Sequence, residues 1–421
     1  MLLARDTARR DRAFAVLWFG QFAAIAGLTV VVPLLPFYLA GFGLEAADVA
    51  WWTGIALAAP AVTQLITAPL WGMVGDRYGH KAMVVRAHAG LALAVGLMAF
   101  AETPGEFLAC RLLQGACGGV VSATAAYAST VAAPQRRGRT LGGLFGATGA
   151  GSLVGPLLGS VLAGRFGFGA LFGSVAVLLV IASGLALVLL PRSCGEAGSR
   201  ENRRGGLRDA ARSLLLERSG RSLLLAGLLG QAAIYALIVV FAQRVAGIAG
   251  SIAAATMWVG ALQAATWAAS LLGGPWWGRR NDRRPANAGF AIAAVCCGVA
   301  VALQALPASP ELLLPLRLVQ GFCFAAFAQS VLHVACDLAP RQARGTAVGF
   351  SSGCLDLGQV AGPFFGALAV TVLPPGGAFA AIGALLGCAA VLAVCGLRRS
   401  SPSAPVTVAA ARKPELTEVG S

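Results

Sequence analysis

The sequence predicts an all-α membrane protein of 12 transmembrane helices, arranged as two six-helix halves related by a pseudo-two-fold axis. Three observations predict it. Of the 421 residues, 57% are hydrophobic and 12% charged, whereas about a quarter of a water-soluble domain is charged. The chain also divides into apolar runs, most of them near the roughly 20 residues a helix needs to cross the hydrocarbon core. Finally, the chain repeats itself. Pro69-Leu70-Trp71-Gly72 with Asp76-Arg77 returns 206 residues later as Pro275-Trp276-Trp277-Gly278 with Asp282-Arg283. Arg111-Leu112-Leu113-Gln114-Gly115 returns at the same shift as Arg317-Leu318-Val319-Gln320-Gly321, and Ala133-Pro134 as Ala339-Pro340. Gly151, Gly155, Pro156 and Gly159 return at a shift of 207 as Gly358, Gly362, Pro363 and Gly366. Colinear matches at offsets that differ by a single inserted residue mean two copies in the same orientation, placed about an axis along the membrane normal.

Taken in order, a basic lead from Arg5 to Arg12 precedes an apolar run over 13–38, which is too long for a signal-peptide core and stays as the first span. Runs at 50–71 and 82–101 flank a polar turn, Gly72 to Lys81, and runs at 106–128, 140–164 and 168–190 complete an N-terminal half, residues 1–190. Residues 191–221, polar and rich in Gly and Arg, read as a cytoplasmic linker resting on anionic headgroups. The second half, 222–399, has runs at 222–243, 254–277, 286–306, 311–336, 345–372 and 377–396, and 400–421 reads as a disordered cytoplasmic tail. Of the 32 Lys and Arg, 28 fall on the face that holds both termini. The positive-inside rule therefore predicts a multi-pass protein of the inner, cytoplasmic membrane with cytoplasmic termini. The net charge of +15 belongs to this topology signal rather than to nucleic-acid binding. The ten cysteines lie in or beside spans or in the basic linker, so they read as packing residues without a disulfide framework.

The turn carries Gly72, Asp76, Arg77, Gly79 and Lys81 in the spacing Gly-x3-Asp-Arg-x-Gly-x-Lys, which resembles the signature of the major facilitator superfamily. That resemblance covers essentially the whole chain. It implies two bundles that rock about a central cavity, with Asp76 and Arg77 latching the second span against the eleventh when the cytoplasmic side is shut. Asp282 and Arg283 would be a second, degenerate copy of the latch. Arg111 in the fourth span resembles the cavity arginine that the family ties to proton coupling, and Gln114 shares its face. The alternative is an arginine snorkelling to the outer interface. In the fifth span Gly142, Gly151, Gly155, Pro156 and Gly159 resemble the antiporter motif of drug exporters, with Ser160 in place of its last glycine. The same glycines also form a small-residue stripe on which another helix can pack closely.

Asp356 is the acid well inside a span, about 16 Å into the eleventh helix at 1.5 Å per residue. A lone intramembrane carboxyl is either a proton or cation site or a structural acid bonded to a neighbour. Gln21, Gln231, Tyr235 and Gln329 are further candidates for the substrate cavity, and Gln21 and Gln231 read as a pair because each follows a glycine in the first span of its half. The three histidines form no metal set, and no cofactor is expected. No clustered nucleophile or His and carboxylate set suggests an enzyme, and no Gly-x4-Gly-Lys-Ser/Thr suggests an ATP-driven pump. The resemblance implies a monomeric proton-coupled transporter of the multidrug efflux type, exporting small amphipathic drugs or antibiotics and so conferring antibiotic resistance. Its partners would be a small-molecule substrate, protons and the lipid bilayer. The alternatives are an importer and an exporter of a metabolite or siderophore.

Overall fold

The computed structural model describes residues 2–131, 137–191, 212, 214–339 and 344–397. The tail and most of the linker lie outside the described residues, as do the side chains of Gly72 and Asp76 and the side-chain surroundings of Gly142. The described elements are helical: α1 (Leu2–Ala40), α2 (Ala46–Tyr78), α3 (His80–Met98), α4 (Pro104–Ala116), α5 (Val120–Val131), α6 (Arg137–Leu189), α7 (Arg218–Ile248), α8 (Ile252–Asn281), α9 (Ala286–Leu303), α10 (Leu314–Leu338), α11 (Arg344–Val372) and α12 (Pro375–Cys395). Several outrun their apolar cores, because hydropathy marks only the part of a helix that lies in hydrocarbon. Thus α2 continues seven residues past Trp71.

Among the described residues eleven stretches are long and apolar enough to cross a membrane. One of them, Gly146–Leu189 in α6, has 44 residues, about 66 Å of helix for a core of about 30 Å. It doubles back at Gly167, whose backbone is non-helical at φ 81°. A Cβ added to Gly159 would stand 3.4 Å from Leu171, although twelve residues of straight helix span about 18 Å. Ala26 and Gly27, adjacent on α1, meet Gly155 and Val175 respectively. The two arms are the fifth and sixth spans, so the described residues make twelve passes.

Two expectations need correction. The fourth span is not one helix: it breaks between α4 and α5 at Gly119, whose φ of 93° suits glycine. Arg86 donates to the carbonyls freed there, those of Cys117 (3.2 Å) and Gly118 (3.1 Å), and its guanidinium lies over the Trp71 ring at 3.8 Å. The polar turn Gly72–Lys81 is likewise mostly helix. The reversal is confined to Gly79 at φ 88°, which ends α2 and opens α3.

The internal repeat is a repeat of contacts. Trp71 Nε1 donates to the carbonyl of Ala116 at 2.7 Å, and Trp277 Nε1 to that of Phe322 at 2.8 Å, each residue displaced by 206. The glycine stripe of the fifth span lies on α1, where added Cβ atoms at Gly151 and Gly155 would stand 2.7 and 2.5 Å from the carbonyls of Phe22 and Ala26. Gly358, Gly362 and Gly366 repeat this against α7. The halves themselves meet at two seams that the repeat exchanges. Gly54 of α2 faces the carbonyl of Pro363 of α11, and Gly260 of α8 faces that of Pro156 of α6.

Candidate functional site

Between α1 and the C-terminal half lies a cavity of about 330 Å³. The small-residue contacts at the seams keep the surrounding helices close. The walls are largely apolar, formed by residues such as Leu28, Ile238, Phe241, Trp267 and Phe324. Set into them are Gln231 and Tyr235 of α7, Gln263 of α8, Arg317 and Gln320 of α10, and Gln359 of α11. An apolar cavity with a few convergent polar groups is the usual form of a small-molecule site.

The two repeated arginines are both buried, at 3% exposure for Arg111 and 2% for Arg317. No acidic side chain lies within 4.0 Å of either among the described residues. Arg111 is fastened inside its own half, with Nε donating to the carbonyl of Ala56 at 2.9 Å and Nη1 to Gln114 Oε1 at 2.7 Å. It is therefore buried rather than snorkelling, and it does not line the cavity. Arg317 does line it. Its Nη1 donates to Gln320 Oε1 at 3.0 Å and its Nη2 to Gln263 Oε1, and the guanidinium lies 4.0 Å from the Phe241 ring centroid. Gln304 also donates to Gln320 Oε1 at 3.0 Å. Arg317 Nε and Gln231 Oε1 are left without partners among the described residues.

Asp356 is exposed and accepts from Gln359 Nε2 at 3.1 Å. Gln359 in turn lines the cavity, and Tyr235 lies within electrostatic range of both Asp356 and Arg111. The structure thus brings Gln231, Tyr235, Arg317 and Gln359 together, with Asp356 adjoining.

Other candidates stand elsewhere. Gln21 is buried within the N-terminal half, donating to Thr148 Oγ1 (2.8 Å) and the Leu144 carbonyl (3.0 Å) and accepting from Thr124. Its pairing with Gln231 is wrong: their offset is 210, and the position 206 beyond Gln21 is Gly227. Gln114 is taken up by Arg111. Gln329 packs beside Gly274 on α8, away from the cavity. Arg77, Asp282 and Arg283 are exposed and Lys81 half-buried at the ends of α2, α8 and α3. Sequence reasoning missed Arg317 as a cavity group, although the repeat of Arg111 marked it. It also missed Arg86, which sat among topology charges and gave no local signal.

The family model described as Major Facilitator Superfamily matches residues 17–264 and 223–418. The chain is 38% identical over 384 residues to a staphyloferrin B transporter of Staphylococcus aureus (strain NCTC 8325 / PS 47), covering 91% of this chain and 92% of that one. It is 27% identical to a multi-drug resistance efflux pump PmrA homolog of Lactococcus lactis subsp. lactis (strain IL1403), covering 86% and 88%. Among solved structures it is similar to a bacterial homolog of the human lysosomal transporter Spinster, inward-facing and unoccupied (TM-score 0.73, 17% identity, 92% and 95% covered). It is likewise similar to the nucleoside transporter NupG (TM-score 0.74, 16% identity, 92% and 98% covered). With twelve passes, a duplicated six-span unit and a cavity at the junction of the copies, the chain belongs to the major facilitator superfamily and is a membrane transporter of that fold.

Proposed function

We propose that the protein is a proton-coupled secondary transporter that exports a small polar molecule of the siderophore type by alternating access. The observation that carries this is the cavity lining: four glutamines, a tyrosine and an arginine converge on one volume. Such a set suits a molecule rich in hydrogen-bonding groups better than a lipophilic cation, which would be repelled by an arginine without a counter-ion. The 38% likeness to a staphyloferrin B transporter over most of both chains supports the same choice over multidrug efflux, where the likeness is 27%. Export of amphipathic drugs is the second reading, favoured by the fifth-span glycine motif Gly142, Gly151, Gly155, Pro156 and Gly159.

In this proposal the protein is a monomer in the cytoplasmic membrane with the Arg-rich face and both termini inside. Asp356 takes the proton and Arg111 couples its movement to the rocking of the halves. Gly72, Asp76, Arg77, Gly79 and Lys81, with Asp282 and Arg283, latch the inner ends when the cavity faces out. The test uses inside-out vesicles from cells expressing the chain, energised with a proton gradient. They are expected to accumulate an iron-free siderophore, to lose it on adding a protonophore, and to leave ethidium unmoved. Ethidium uptake without siderophore uptake would replace this reading with drug efflux.

A further inference from the structure

The two copies of the buried arginine are not used alike. Arg111 has its Nε and Nη1 engaged within its own half and stands outside the cavity lining. Arg317 is 2% exposed, lines the cavity, and keeps an Nε–H for which no acceptor exists among the described residues. The partners it has are neutral amide oxygens, from Gln263 and Gln320, and an aromatic face from Phe241. These orient a guanidinium without neutralising it. A buried cation without a carboxylate is costly, and a bound anion removes that cost. Gln231, 8% exposed, lines the same volume and carries a buried Oε1 without a partner among the described residues, a spare acceptor for a hydroxyl or amide proton of a molecule bound there.

Resting on the transporter reading above, we infer that Arg317, and not its copy Arg111, is the anion-binding group of the cavity, and that the transported molecule presents a carboxylate to it. A planar carboxylate matches the guanidinium edge in two parallel hydrogen bonds, a match that an ammonium cannot reproduce. Tyr235 and Gln359 border the space and supply hydrogen bonds to the remainder of the molecule.

The test is binding to the purified full-length chain in detergent, read by tryptophan fluorescence because Trp267 lines the cavity. The probes are citrate, succinate and malate, set against tetraphenylphosphonium. At least one carboxylate is expected to give a saturable change, and the cation none. Arg317→Gln should weaken the carboxylate at least about tenfold, the scale of one charge-assisted pair. Arg317→Lys should fall between, keeping charge without the fork, and Arg111→Gln should bind within about threefold of wild type. Saturable binding of tetraphenylphosphonium with none of the three carboxylates, or loss of carboxylate binding in Arg111→Gln but not Arg317→Gln, would overturn the inference. Should Arg317→Gln fail to fold, Arg317→Lys and the wild-type contrast between carboxylate and cation decide it. Carboxylate binding that depends on Arg317, in a protein whose vesicles show no proton-driven export, would keep this inference and remove the exporter reading.

Discussion

Adding one methyl group at Gly260 tests whether the seams between the halves are the moving parts. The added Cβ would stand 2.5 Å from the Pro156 carbonyl and also strike Ser160, where ordinary contact begins at 3.4 Å. The nearest atom that cannot rotate away is the Ser160 Cβ at 2.3 Å, so the helices must part locally by about 1.1 Å, the difference from 3.4 Å. Overpacking of this size costs about 1–3 kcal/mol. Only the conformation in which α6 and α8 are closed at this point bears the cost, so Gly260→Ala should shift the population toward the opposite-facing state by roughly 5- to 150-fold. Gly54→Ala, at the exchanged seam, meets the Pro363 carbonyl at 3.1 Å and should shift it far less. Ser160→Gly in the Gly260→Ala background removes one of the two obstructions and should restore part of the population. Spin labels at Arg165 and Ser251, near the adjoining ends of the fifth span and α8, report the separation as a distance distribution. An unchanged distribution in well-expressed Gly260→Ala, or equal shifts from Gly54→Ala and Gly260→Ala, would refute the assignment of the seam.

Three further outcomes are expected. Trp71→Phe removes the hydrogen bond to Ala116 and shrinks the aromatic face under Arg86, about 1–2 kcal/mol together. Trp277→Phe should lower the thermal unfolding midpoint less, because Arg280 is 5.6 Å from its ring where Arg86 is 3.8 Å from Trp71. Gly119→Ala forces a side chain into the left-handed region at φ 93°, a strain of about 1–2 kcal/mol, and should lower the midpoint as well; an unaltered melt would show that the break between α4 and α5 relaxes freely. Asp356→Asn should abolish proton-driven accumulation in vesicles while sparing exchange of substrate across an ungradiented membrane, and accumulation that survives would remove Asp356 from coupling.

How far the fold could be read in advance varies with the kind of signal. The repeat at 206 residues carried over to atoms, because Trp71 with Ala116 and Trp277 with Phe322 make one hydrogen bond twice. The stripe of Gly151, Gly155 and Gly159 announced close packing, though not that its partner was α1 within the same half. Hydropathy missed the break in the fourth span, because Gly118-Gly119 is as apolar as a helical stretch and only the positive φ distinguishes it. Matching Gly20-Gln21 to Gly230-Gln231 failed for the opposite reason: two residues agree by accident where the offset does not. The cavity was least legible, since its lining is set by how α1, α7, α8, α10 and α11 converge.

Residues that break the repeat supply most of the polar lining of the cavity, beside the repeated Arg317 and Gln320. Positions that repeat, such as Trp71 and Trp277 or Gly115 and Gly321, hold helices together in each half. At the cavity the copies part: Gln263 stands where the first half has Leu57, Tyr235 where it has Thr29, and, at the shift of 207, Asp356 and Gln359 where it has Gly149 and Ser152. The polar and charged groups about the cavity therefore come almost wholly from the C-terminal half. The N-terminal half instead differs by Arg86 and the Gly118-Gly119 break, where the second copy has Ile292 and Phe324-Ala325. Arg86 caps that break, pairing the carbonyls of Cys117 and Gly118 that the end of α4 leaves free. Most of the cavity-lining polar groups and Asp356, the proposed proton acceptor, thus belong to the C-terminal half, and the proposed coupling arginine Arg111 to the N-terminal half. Exchanging Leu57 and Gln263 between the copies should then alter which molecule binds, while Arg86→Gln should alter how fast it moves.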